Sequence, residues 1–92
     1  LEAVAIGKNA NAVGSHSIVI GSSSIANKES SLALGYLAKA TGKESIAVGI
    51  RSEATAGGAI ALGCAANALA LSAIAIGVNA NSTGQGIQGI AT

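Results

Sequence analysis

Few residues in this 92-residue sequence can do chemistry. There is one histidine, His16, one cysteine, Cys64, and one tyrosine, Tyr36, with five lysines and arginines against four glutamates. A histidine acting as general base needs a carboxylate to orient it. No acid is expected at a repeat-equivalent position beside His16, so it reads as a solvated corner residue. Cys64 follows Gly63 directly and reads as a small residue filling a corner rather than a nucleophile. A single cysteine makes no internal disulfide and offers no zinc-site spacing. The glycines build no phosphate loop, since no Gly-Lys-Ser/Thr stands between a strand and a helix. With no aspartate in the chain, calcium-binding nonapeptide repeats are excluded. No catalytic residue, cofactor or metal ligand is expected.

What must position these residues is a layer, not a ball. Half of the sequence is apolar, yet Phe, Trp, Met and Pro are absent. A globular core of this size leans on large aliphatic and aromatic side chains, whereas here alanine is the commonest apolar residue. The net charge of +1 comes from few residues of mixed sign, so nothing suggests nucleic acid. Apolar runs are too short to span a bilayer as a helix, and no direct membrane insertion is expected. The chain has neither an initiator Met nor a signal peptide, and is expected to be cut from a longer precursor.

One pentapeptide is written six times: Ala3–Gly7, Ser17–Gly21, Ser31–Gly35, Ser45–Gly49, Ala59–Gly63 and Ala73–Gly77. The closing glycines, Gly7, Gly21, Gly35, Gly49, Gly63 and Gly77, step by fourteen without an insertion. A fixed period is the mark of a stacked repeat architecture. Three residues before each glycine stand Val4, Ile18, Leu32, Ile46, Ile60 and Ile74, and one before it Ile6, Ile20, Leu34, Val48, Leu62 and Ile76. Small residues fall between them. Alternation with period two is that of a strand.

The second half of each repeat has small residues three and five after the glycine, such as Ala38 and Ala40. Between them stand Asn11, Ile25, Lys39, Glu53, Asn67 and Asn81. This predicts a second strand, small side in and mostly polar side out. Corners follow at the glycines and half a repeat later, at Gly14, Gly42 and Gly84, because glycine tolerates positive φ. Six turns at about 4.8 Å each predict a roll roughly 29 Å long with two parallel sheets. An interior of Ala and Ser brings the sheets closer than the usual ~10 Å. The large aliphatics then have no room inside and must point out. Twelve such side chains in one stripe are an interaction surface, which copies of the same chain in a closed ring would cover.

Written in columns, the repeat resembles the head domains of trimeric autotransporter adhesins, the YadA-like surface fibres of Gram-negative bacteria. The shared motif, Ser-Val-Ala-Ile-Gly-x-x-Ser/Ala, is matched by Ser45 through Ser52, Ser17 through Ser24 and Ala73 through Ala80. The resemblance implies an all-β fold, a left-handed parallel β-roll, and three chains about one axis. It puts Val4, Ile6, Ile18, Ile20, Leu32, Leu34, Ile46, Val48, Ile60, Leu62, Ile74 and Ile76 in the trimer interface. Residues 1–84 form the head repeats, and residues 85–92, where the period fails, resemble the truncated start of the neck. Cys64 is unusual for such a head, and Ile25 and Leu69 put large apolar groups where polar ones are expected.

The implied function is adhesion at the bacterial cell surface, with the outer-membrane anchor in a part of the protein absent here. Implied partners are the chain itself and host extracellular matrix (collagen, fibronectin or laminin) or host cells. The outward Asn11, Lys39, Glu53, Asn67 and Asn81, with Arg51 and Tyr36 at a corner, form the candidate ligand surface. Tyr36 shares its column with Ile50, so corner packing or an interchain contact is its plainer reading. Lys39 and Glu53, like Glu29 and Lys43, stand one turn apart as exposed charge ladders, each worth little. A passive spacer is the alternative. A left-handed β-helix acyltransferase is remote, since such enzymes repeat by six residues and close a turn in eighteen. An ice-binding solenoid wants a flat threonine array, and Thr41, Thr55 and Thr83 make only a broken column.

Overall fold

The computed structural model describes residues 2–84 and the strand backbone of residues 87–90. Each fourteen-residue turn contributes two short strands, one to each of two sheets. The first sheet stacks Val4–Ile6, Ile18–Ile20, Leu32–Leu34, Ile46–Val48, Ile60–Leu62 and Ile74–Ile76, with Ile87–Ile90 at its end. The second stacks Asn11–Ala12, Ile25–Ala26, Lys39–Ala40, Glu53–Ala54, Asn67–Ala68 and Asn81–Ser82. All pairs are parallel, and from Val4↔Ile18 to Ile60↔Ile74 each residue faces its equivalent one turn away. The chain is therefore an all-β parallel solenoid of about six turns, as the fourteen-residue period demands. Its Cα envelope, 32 × 20 × 11 Å, is long and thin because the layer between the sheets is made of methyl and hydroxymethyl groups.

That layer is the core. Ala33, Ala47, Ala61 and Ala75 from the first sheet meet Ala26, Ala40, Ala54 and Ala68 from the second, all fully buried. Val19 is the largest side chain among the fully buried ones. The buried serines resolve their hydroxyls locally: Ser17, Ser24, Ser31, Ser45 and Ser52 each donate from Oγ to the carbonyl three residues earlier, at 2.6–2.9 Å. Serine and alanine thus interchange along the inner wall, because the donor finds its acceptor within its own turn. Ser82 differs. It stands where Ala12, Ala26, Ala40, Ala54 and Ala68 stand in earlier turns, and its buried hydroxyl has no partner among the described residues.

The corners hold a second period that the glycine pattern hides. A residue with φ near +60° recurs every seven positions: Asn9, His16, Ser23, Ser30, Leu37, Glu44, Arg51, Gly58, Ala65, Ser72 and Asn79. Only one of these is glycine. Each is the third residue of a tight turn, whose first carbonyl accepts the N–H three residues on, as in Ala38 N–H to Gly35 O at 3.2 Å; in the Gly21–Ser24 turn the carbonyl accepts from the Ser24 hydroxyl instead. Positive φ at the third position alone is the type II pattern, which glycine and asparagine suit best. The corner is held by the preceding rung: Leu37 N–H donates to Ser22 O and Arg51 N–H to Tyr36 O, at 3.1 and 2.9 Å. The repeated glycines stand two residues earlier, as first residue of the turn, with φ from +124° to +141°.

At the far end, Ile87–Ile90 joins the first sheet beside Ile74–Ile76, with its register shifted between the Ile74↔Ile87 and Ile76↔Ile90 pairs. A strand that gains one residue against its neighbour is a bulge, a common device where regular pairing ends. The remainder of the predicted neck opening (Gln85, Gly86, Ala91 and Thr92) lies outside the described residues.

Candidate functional site

Two unlike faces follow from the alternation. On the first sheet the small residues are consumed by the core, so the large ones stand on the outside in two adjoining rows. Val4, Ile6, Ile18, Ile20 and Ile76 are exposed, Ile6 to 56%. Leu32, Leu34, Ile46, Val48, Ile60, Leu62 and Ile74 are half-buried, each flanked by its equivalents in the turns on either side. All twelve point away from the alanine core. Around the first corner the apolar surface continues as Tyr36, Ile50 and Val78, at 49%, 51% and 63% exposure. Exposed Cys64 stands in this same column.

The second sheet presents one outward row, Asn11, Ile25, Lys39, Glu53, Asn67 and Asn81, in continuous register. Asn11, Lys39 and Asn81 are exposed, while Ile25, Glu53 and Asn67 are half-buried. Leu69 lies beyond this row at the strand end and is exposed. Arg51 is not in the row. It occupies the adjacent corner column, one rung above Leu37. As a result Leu37 and Lys39 from one turn, with Arg51 and Glu53 from the next, surround a shallow depression. Columns drawn from sequence alone keep these residues in separate files; the corner conformation brings them together.

The charge ladders divide. Lys43 Nζ lies 3.7 Å from Glu29 Oε1, both exposed, a pair of little energetic consequence. Lys39 and Glu53 are neighbours in register, yet they are not among the ion pairs found within 4.0 Å. The expectation for His16 is corrected. Glu2 stands fourteen residues before it in the same corner column, and its Oε1 lies 3.9 Å from His16 Nε2. An acid is therefore present, but both groups are exposed, at 62% and 91%. Among the described residues neither is fixed by a further partner, as a catalytic pair requires. Among the described residues no three His, Cys, Asp or Glu side chains gather as a metal site would need. Among the described residues no helix is long and apolar enough to cross a membrane.

These features define a repeat solenoid with a thin inert core, an aliphatic outer face and a polar one opposite. Residues 1–24, 13–38, 26–52, 40–66 and 68–91 match the family model of the YadA head domain repeat, which spans two copies of the repeat per match. The chain belongs to the YadA head domain repeat family. Fold and family together point to an adhesin-type, surface-exposed part of an autotransporter rather than to an enzyme. No curated protein shows significant similarity to the chain.

Proposed function

We propose that the chain is the head of a homotrimeric adhesin that attaches a bacterium to host extracellular matrix, such as collagen, fibronectin or laminin, or to host cells, and that also self-associates. The observation that carries this reading is the outward aliphatic face. Burying one Val, Ile or Leu side chain fully is worth roughly 1.5–3 kcal/mol. Twelve in one patch are a cost on an isolated chain and a core in an assembly. A ring of three copies with these faces toward the axis covers the patch, and turns the second sheet and its polar row outward. The same contacts are then offered three times, so individually weak ones sum by avidity. A longer protein would supply the outer-membrane anchor, placing the head at the cell surface as a virulence factor.

Sedimentation equilibrium on the purified chain, followed by binding to immobilised collagen, fibronectin and laminin, tests the proposal. A mass three times that of the chain together with saturable binding supports it. A folded monomer removes the assembly. A trimer that binds none of these surfaces, while a full-length fibre does, makes the roll a spacer.

A further inference from the structure

We infer that the depression between Leu37, Lys39, Arg51 and Glu53 is a ligand-binding site for a polypeptide segment carrying a carboxylate beside a basic side chain. The site is a two-by-two square on the outer wall. Leu37 and Arg51 stack in one corner column, and Lys39 and Glu53 stack in the adjoining strand row. Rungs of a parallel sheet lie about 4.8 Å apart, so the three charged groups fall within the span of neighbouring side chains on an extended peptide.

Three observations single this square out. The equivalent squares in the other turns are Asn9 with Asn11, Ser23 with Ile25, Ala65 with Asn67, and Asn79 with Asn81. All of those are uncharged, so charge enters this wall in two consecutive turns and nowhere else in the repeat series. The charges are also left open. Lys39 and Arg51 are exposed, and neither is among the ion pairs formed within 4.0 Å, though Glu53 lines the same depression. Finally, Leu37 and Arg51 adopt φ of 61° and 62°. Elsewhere this corner column holds Asn9, Ser23, Ala65 and Asn79, all small or, as asparagine, well suited to such a φ. Bulky side chains there carry a conformational cost, one that His16 and Glu44 also carry in the opposite corner column, so within this column it marks the square without by itself defining a site.

The charge pattern sets the ligand class. Arg51 offers a planar fork that matches a carboxylate, with Lys39 as a second cation beside it. Glu53 accepts from a neighbouring amine or guanidinium and repels a uniform polyanion. Leu37 supplies an apolar floor. The equivalent squares in the other turns are neutral, so a segment of mixed charge finds one such square on each copy.

This inference rests on the adhesin reading, and the test separates the two. The assembled parent chain and its R51A, K39A, E53Q and K28A variants are passed over two kinds of surface. One carries collagen, fibronectin or laminin; the other carries a Gly/Ser-spaced peptide with an adjacent Glu–Lys pair, or its Gln-for-Glu and Gln-for-Lys forms. Expected results are a tenfold or greater loss of peptide binding in R51A and K39A, and no change in K28A, whose lysine lies at the opposite corner. E53Q is expected to lose the preference for the Lys-containing peptide over its Gln form. Unchanged melting temperatures keep the comparison on binding, as Arg51 and Lys39 are exposed. Matrix binding by the parent that R51A and K39A retain in full overturns the site and leaves the adhesin reading standing, as does equal loss in K28A. Peptide binding without matrix binding supports the site and counts against the adhesin reading. Binding to neither surface overturns both.

Discussion

Gly35 sits directly against Gly49 in the next turn: a β-carbon placed on Gly35 would come within 2.8 Å of the Gly49 carbonyl carbon and oxygen. The contact is backbone against backbone, so no side chain can move aside. It recurs from Gly7 to Gly63, and this fixes both the closeness of successive turns and the invariance of the repeat's last letter.

Gly35→Ala is therefore expected to destabilise the roll by roughly 3 kcal/mol or more. Strained φ and overpacking each contribute about 1–3 kcal/mol. Gly57→Ala is the control. Its β-carbon would meet only the Lys43 carbonyl oxygen, at 3.8 Å, and its φ lies outside the left-handed region. Thermal unfolding should show a large drop for the first and almost none for the second; equal drops would mean the glycine contact is not what sets the turn spacing.

Ala65 holds φ at +61° without the freedom of glycine or the local hydrogen bonding of asparagine. Left-handed backbone costs an L-residue about 1–2 kcal/mol, and glycine gives back part of that gain through its larger unfolded-state entropy. Ala65→Gly is expected to raise stability by about 0.5–1 kcal/mol in denaturant titration. A loss would show that the corner does not hold this conformation in solution.

The buried hydroxyls give opposite expectations at two sites. Ser45 Oγ donates to Gly42 O at 2.6 Å, so Ser45→Ala should cost about 0.5–1.5 kcal/mol. Ser82 Oγ has no partner among the described residues, in a column otherwise held by alanine. Ser82→Ala should therefore be neutral or stabilising by about 1 kcal/mol. Chemical denaturation of the two variants checks this, and a marked loss in Ser82→Ala would reveal a bond to the segment that follows.

Ile60→Asp tests the aliphatic face. Its neighbours Ile46 and Ile74 flank it in register, so a carboxylate there enters the middle of the stripe. If the face is an interchain core, an unpaired buried charge costs several kcal/mol, and sedimentation should show the assembly lost. Lys28→Asp, at an exposed corner, should leave the mass unchanged. A variant Ile60→Asp that keeps the parent's mass would place the interface elsewhere.

The repeat by itself determined the architecture. A strict step of fourteen, alternation of period two, and an interior supply of only alanine and serine leave one solution: a thin parallel solenoid with Val, Ile and Leu outside. Each is a local rule about side-chain volume and direction, and so is legible in the letters. The tertiary structure decided what depends on backbone conformation between the strands. The seven-residue corner period is invisible as residue type, since Asn, His, Ser, Leu, Glu, Arg and Ala all occupy it; the turn-to-turn hydrogen bonds of the stack impose the left-handed φ. The same corners carry Arg51 beside Lys39 and Glu53, a neighbourhood set by how the chain rounds the edge rather than by how its strands alternate, whereas Glu2 beside His16 follows from the step of fourteen itself. Strand content was written in the sequence, and side-chain neighbourhoods at the corners were made by stacking.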